Sequence, residues 1–388
     1  MSVEAALDWR SYLGTLERLQ AWSERNALDD AQLRQEAVQQ LAMTVAQAYF
    51  VLFSQRSDAP QLVTFTNPIV NSATNPDFMY SYAALDARRT YRLSGTRGSS
   101  RFIHVVQNSG MIGLDEVPGP PLAMLDIDSL AIPAGGSFSV VLSAERGDEH
   151  GWWHLDPRTS SISIRQAACD WDGETDGRLA IECLDAEGPR PRLDAREIAS
   201  RLGDVSRFAD RYLASLDALL AILRARPVNT LQINDWRQFG GLSNQFYYQG
   251  RFELAAGEAL LIESEIPRQT RYWGIVTLDE LFNSLDWVNN QSSLNDSQAR
   301  LDSDGRFRAV LSLEDPRVPN WLDPVGRRRG LIQGRWFEAS SGPLPTLTKV
   351  PLADLRDLLP ADTPVVSDAQ RRAMLQRRSR GAQYRRKW

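Results

Sequence analysis

The sequence predicts a mostly β protein with helical additions: two antiparallel β-sandwich or jelly-roll-like units, an N-terminal helical pair and a linking helix. Two long stretches carry short runs of alternating apolar and polar residues, cut by Gly- and Pro-rich turns. That pattern belongs to antiparallel sheets rather than to β–helix–β units. Each stretch is preceded by a segment whose apolar residues recur at helical spacing. A chain of 388 residues accommodates two or three such domains.

Taken in order, residues 1–56 read as helix, with Leu33, Ala37, Leu41, Val45 and Tyr49 on one face and Asp29-Asp30 at its N-terminus. Trp9, Leu13, Leu16 and Leu19 mark a shorter helix before it. The first β domain, 57–190, contains strand-like runs at 61–65, 90–93, 102–106, 137–142 and 161–165. A linking helix within 191–230 opens at a capping Asp194, carries Ile198, Leu202, Phe208, Tyr212, Leu216, Leu219 and Leu223 as its stripe, and stops before Pro227. The second β domain, 231–345, has runs at 245–249, 259–263, 272–276, 306–312 and 329–337. The tail, 346–388, is Pro-punctuated, then helical and basic.

Composition excludes several classes of function. Positive charge is almost all Arg, with Lys only at Lys349 and Lys387. Residues Met1 to Leu13 lack the basic region and apolar core of a secretory signal, and no apolar run approaches the ~20 residues of a membrane span. A cytoplasmic protein with reduced Cys169 and Cys183 is therefore expected. Those cysteines flank the turn-rich segment 172–177 as cross-strand neighbours in a hairpin do, a placement that also permits a disulfide. His150 and His154 lie four apart in a Gly- and Trp-rich segment with no Glu in the HExxH position to act as base, so no metal is expected. Phosphate-cradling glycine loops and a nucleophile elbow are absent, and no cofactor is expected.

The block Tyr272-Trp273, Ser293-Leu-Asn-Asp-Ser-Gln298, Asp304-Gly305, Asp315-Pro-Arg-Val-Pro-Asn-Trp-Leu-Asp323, Gly330 and Arg335-Trp336 resembles the bacterial family catalogued as domain of unknown function 1214. Upstream, Asn75-Pro-Asp-Phe-Met-Tyr80 with Tyr91-Arg92-Leu-Ser-Gly95 resembles a companion domain of unknown function. The resemblance covers roughly residues 70–375 and is strongest over 270–337. It implies sandwich and jelly-roll folds and no established activity.

Carboxylates, tyrosines, amides and arginines are the chemistry that remains. Asp304, Asp315 and Asp323 are candidate acids or bases, Tyr272 a hydrogen-bond donor and Arg335 the orienter of an anionic group. Trp273, Asn295, Gln298, Asn320, Trp321 and Trp336 are candidate ligand contacts around them, since a carboxyl walled by Trp has its pKa raised. The same residues also read as turns, caps and sandwich core. A second group is Asn75, Asp77, Tyr80 and Tyr82, which also reads as an Asn-Pro turn beside core aromatics. A third is Trp236, Phe239, Phe246, Tyr247 and Tyr248, placed to line a cleft between domains. The Arg-rich tail reads as a packing or solvated helix rather than a nucleic-acid module.

The functional expectation is a small, partly apolar molecule bound in a Trp-lined pocket, with metal-free acid/base chemistry of hydrolase, lyase or isomerase type if the protein is an enzyme. A non-catalytic carbohydrate-binding sandwich and an assembly protein are the alternatives. No nucleic-acid or membrane partner is expected, and a homo-oligomer is, through the tail in the assembly reading.

Overall fold

The computed structural model describes residues 7–26, 30–64, 66, 69–117, 119–130, 132, 136–147, 151–188, 190–235 and 244–385. The N-terminal helices are α1 (Trp9–Glu17), α2 (Gln20–Asn26) and α3 (Ala31–Phe53). Asp30 caps α3 by accepting hydrogen bonds from the Gln32 and Leu33 amides. The linking helix α4 (Ala195–Arg224) begins on an Asp194 cap that accepts from the Glu197 amide. Its face of Val205, Phe208, Tyr212, Leu216 and Leu220 packs with Leu33, Ala37, Ala48 and Val51 of α3. No helix among the described residues is long and apolar enough to cross a membrane.

The first β unit stacks two sheets. One orders β1 (Phe78–Ala84), β7 (Ser161–Ala167), β3 (Phe102–Asn108) and β4 (Ala123–Asp126). The other orders β6 (Trp152–His154), β5 (Ser137–Ser143), β2 (Tyr91–Thr96) and β8 (Arg178–Cys183). Ile103, Val105, Ile162 and Ile164 of the first interlock with Tyr91, Leu93, Val140 and Leu142 of the second.

The second unit repeats this plan. Its first sheet orders β13 (Ser293–Asn295), β12 (Tyr272–Leu278), β16 (Arg329–Phe337), β10 (Gln245–Glu253) and β9 (Gln232–Asn234). Its second orders β15 (Trp321–Leu322), β14 (Phe307–Ser312), β11 (Glu258–Ser264) and β17 (Thr346–Pro351). Trp273, Ile275, Ile332 and Trp336 meet Leu260, Ile262, Phe307 and Leu311 in the core. Among the described residues the ladders are antiparallel except β5 with β6 and β14 with β15.

Side chains alternate across a strand, so each core-facing sheet has a second face. The second faces of the β1 sheet and the β12 sheet meet. Phe78, Phe102, Val106 and Ala167 pack on Tyr272 and Phe337 there. Four sheets thus lie in layers, and α3 and α4 close one side against Tyr82, Ala84, Val276 and Leu278.

Three sequence expectations need correction. Residues 61–65 are not a strand across the described positions; Val63 makes one isolated bridge to Tyr82. Cys169 and Cys183 do not flank a hairpin, because β7 and β8 lie in opposite sheets, and both thiols are free. The strand β17 continues the second unit past residue 345 by pairing with β11.

The tail carries the one-turn helix α5 (Leu355–Leu358) and then the basic helix α6 (Asp368–Arg385), which straps both units. On the second unit, Arg371 donates to Asp315 at 2.8 and 3.0 Å and Arg378 donates to Gln298 Oε1 at 3.1 Å. On the first, Arg380 reaches Asp172, and Arg385 donates to both oxygens of Asp176 at 3.1 Å and to the Asp77 carbonyl at 2.9 Å. Arg385 and Asp176 are both buried, so removing one leaves an uncompensated buried charge. Arg385→Met is expected to lower the unfolding free energy by about 3–5 kcal/mol in a urea titration. Arg380→Met, at an exposed pair, should leave the transition nearly unmoved.

Candidate functional site

A cavity of about 300 Å³ lies where the two units and the helices meet. Strand alternation explains its wall. On β16, Trp336 and Ile332 enter the second core, so Gln333 and Arg335 point the other way, into the cavity. Tyr247 stands opposite Arg335 in the β10 ladder and lines the cavity with it. On the first unit, Ile162 and Ile164 enter the core while Ser161, Ser163 and Arg165 line the cavity, with Tyr80 and Tyr82 across the ladder. Gln47 of α3, Tyr212, Leu216 and Leu219 of α4, and the segment Asn71–Thr74 complete the wall together with Phe282.

Ser72, Ala73 and Phe282 have left-handed backbone, with φ of 55°, 50° and 68°. Such non-glycine conformations are strained and persist where surrounding structure holds them. Here the Ala73 amide donates to the Phe282 carbonyl at 2.8 Å, joining the two strained segments.

Among the described lining residues there is no carboxylate, histidine, cysteine or tryptophan. The polar groups are guanidiniums, phenols, amides and hydroxyls. Burial pushes the phenols of Tyr80, Tyr82 and Tyr212 upward, so they are protonated at neutral pH. Tyr212 shares a 2.5 Å hydrogen bond with Ser72. Arg335 is 5% exposed, and its guanidinium lies 5.4 Å from the centre of the Tyr247 ring. Burial opposes its charge, but the oxygens of Tyr247, Tyr272 and Tyr80 and the Asp77 carboxylate hold its pKa above the ordinary value. Arg165 stands 6.0 Å from the Tyr80 ring.

Of the residues predicted from sequence, Tyr80, Tyr82, Tyr247 and Arg335 line this cavity. Asn75, Asp77, Tyr272 and Asn295 also come together, in a buried joint beside it. Asp77 Oδ1 accepts from Trp171 Nε1 at 2.9 Å and Asn295 Nδ2 at 2.6 Å, and Oδ2 accepts from Tyr272 Oη at 2.7 Å. Asn75 Nδ2 donates to Tyr272 Oη at 2.9 Å. Burial, reinforced by Asp77, raises the Tyr272 phenol well above its usual range. Gly274 makes room for the joint, because a Cβ there would lie 2.5 Å from Tyr272 Oη.

The remaining predicted residues do not line the cavity. Asp304 is exposed and held at about 2 by Arg308. Asp315 pairs with Arg371, and Asp323, pushed upward by burial, caps the Val325 amide at 2.7 Å. Asn320 spans the carbonyls of Arg300 and Arg308 at 2.6 and 2.8 Å, and Gln298 receives Arg378. Trp273 and Trp336 fill the second core, and Trp321 donates to the Ser312 carbonyl at 3.0 Å beneath Arg371. This cavity is lined by tyrosines and no described tryptophan, and the candidate carboxylates Asp304, Asp315 and Asp323 serve turns and ion pairs elsewhere. In the third group, Tyr248 is core and Phe246 is exposed at 40%, while Trp236 and Phe239 lie outside the described residues.

Arg165, Tyr212, Gln333, Asn71 and Asn108 are cavity residues that sequence reasoning missed. The signal for Arg165 was present in the alternation of Ser161-Ile-Ser-Ile-Arg165, where a polar second face reads as a solvent face.

The described residues also bring His104, Asp126 and Glu338 within 4.8 Å of one another, a donor set of metal-ligating type. Arg271 already donates to both carboxylates, and to Asp128 at 2.6 Å, so its guanidinium sits against the cluster.

No family model and no curated protein matches the chain. The solved structure of an uncharacterized protein from Burkholderia cenocepacia is similar with a TM-score of 0.83 and 28% identity, over 89% of this chain and 97% of that one. The VPA0106 protein from Vibrio parahaemolyticus is similar with a TM-score of 0.46 and 11% identity, over 87% of this chain and 100% of that one. The Burkholderia protein shares the fold over nearly its whole length.

The joint makes a direct prediction. Asp77→Asn turns an acceptor of several hydrogen bonds into an amide facing donors, and a mispaired buried group costs about 1–3 kcal/mol. Urea unfolding should show a loss of that size.

Proposed function

We propose that the protein binds a small, partly apolar molecule in the cavity between its two β units. The observation that carries this reading is the cavity's construction. Rigid strands from both units supply hydrogen-bonding groups, and Phe78, Met111, Ile112, Leu216, Leu219 and Phe282 supply apolar surface. Amphipathic cavities of this kind, at the join of domains, are where small ligands bind. The volume of about 300 Å³ is at the lower end of their range.

The lining supports binding over carboxylate acid/base catalysis, since none of its described residues is a carboxylate. A sugar-binding face is less well supported: it needs exposed aromatic rings, and Trp321 and Trp336 are buried. The assembly reading through the tail is also weaker, because Arg371, Arg378, Arg380 and Arg385 are engaged within the chain.

Prodan, a neutral dye that brightens in apolar surroundings, tests the proposal. It should bind the wild-type protein at one site, and Leu219→Trp, which fills the cavity, should weaken binding at least tenfold. The unfolding midpoint should stay within a few degrees of wild type. Equal binding by the two proteins would sink the proposal.

A further inference from the structure

The geometry points to a carboxylate or phosphate group on the bound molecule, held by Arg335. This rests on the cavity being a binding site and specifies what it binds. Arg335 sits on β16 with β12 and β10 on either side, in register with Gly274 and Tyr247, so its backbone is held from both edges. Its guanidinium makes no hydrogen bond and no ion pair among the described residues.

That isolation is unlike the other buried arginines. Arg56 pairs with Asp58, Arg97 with Asp128, Arg371 with Asp315 and Arg385 with Asp176. Arg335 is buried to the same degree and has no carboxylate of its own. Asp77 acts on it electrostatically, but the Asp77 oxygens are taken by Trp171, Asn295 and Tyr272. A desolvated charge with unfilled donors is costly unless a partner arrives. The planar fork of a guanidinium suits the paired oxygens of a carboxylate or phosphate.

The surroundings agree. Arg165 adds a second positive charge to the wall, and no described lining residue carries a negative one. The phenols of Tyr80 and Tyr82, raised by burial, stay neutral and so do not repel an anion. Leu216, Leu219 and Phe282 give the rest of the molecule an apolar surface, which free inorganic phosphate does not use. The class is thus an organic acid or phosphate ester with an apolar portion.

The test is competition for bound prodan by hexanoate, hexyl phosphate and hexanol, which share one chain and differ in the head group. At least one of the anions should compete tenfold or more better than hexanol, and the better one identifies the group as carboxylate or phosphate. Arg335→Gln should erase that preference while hexanol competes as before. Arg335→Lys, with charge but no fork, should keep part of it and controls for a folding defect in the Gln variant. If hexanol equals both anions in the wild type, or the preference survives Arg335→Gln, the inference is overturned while prodan binding still supports the cavity. If Leu219→Trp changes neither prodan binding nor competition, the cavity reading fails and takes the inference with it.

Discussion

The four layers depend on one buried carboxylate. Asp77, at the mouth of β1, accepts hydrogen bonds from Trp171 in its own unit and from Tyr272 and Asn295 in the other. A carboxylate leaves water at great cost unless donors replace the solvent, and here the donors come from both units. Satisfying Asp77 therefore fixes how one sandwich sits on the other to within the tolerance of a hydrogen bond. Gly274 is a second part of the same constraint, because any side chain there would push Tyr272 off Asp77.

The cavity follows from that docking. The two inner sheets meet through apolar residues at one end, Phe78, Phe102 and Phe337, and through Tyr82, Val276 and Leu278 beneath the helices at the other. Between these contacts the facing strands present Ser161, Ser163, Arg165, Gln333 and Arg335. Collapsing those groups together would bury polar atoms without partners, which a close-packed interior does not tolerate. The gap is kept open by the chemistry of its own walls. The left-handed backbone at Ser72, Ala73 and Phe282 is concentrated at the same place.

Much of the fold was legible because it is encoded locally. Asp30 and Asp194 cap the helices they precede in sequence, and the runs at 137–142, 161–165 and 329–337 are strands. Elements such as β13 and β15, at three and two residues, are too short to show a period and exist because neighbouring strands pair with them. The site was harder for a different reason. Polar residues dense in sequence, such as Asp304 and Asn320, mostly satisfy one another nearby: Asp304 with Arg308, Asn320 with Arg300 and Arg308. The cavity instead gathers residues from Gln47 to Arg335, and the partner of Tyr272 lies 195 residues away. No local spacing records such a meeting. Arg335 was legible as an anion-orienting residue, but its isolation from carboxylates was not, since that is a property of what the fold keeps away from it.

The strap helix α6 sets an order on how this molecule is made. Asp176 waits for a partner 209 residues further along the chain, and the Asp77 carbonyl for one 308 residues away. During synthesis the first unit emerges complete in its strands while this buried acid has no counter-charge. The second unit follows, and only after Arg385 has cleared the ribosome does Asp176 gain its partner. The tie between the strap and the first unit therefore forms only after the second unit has been made.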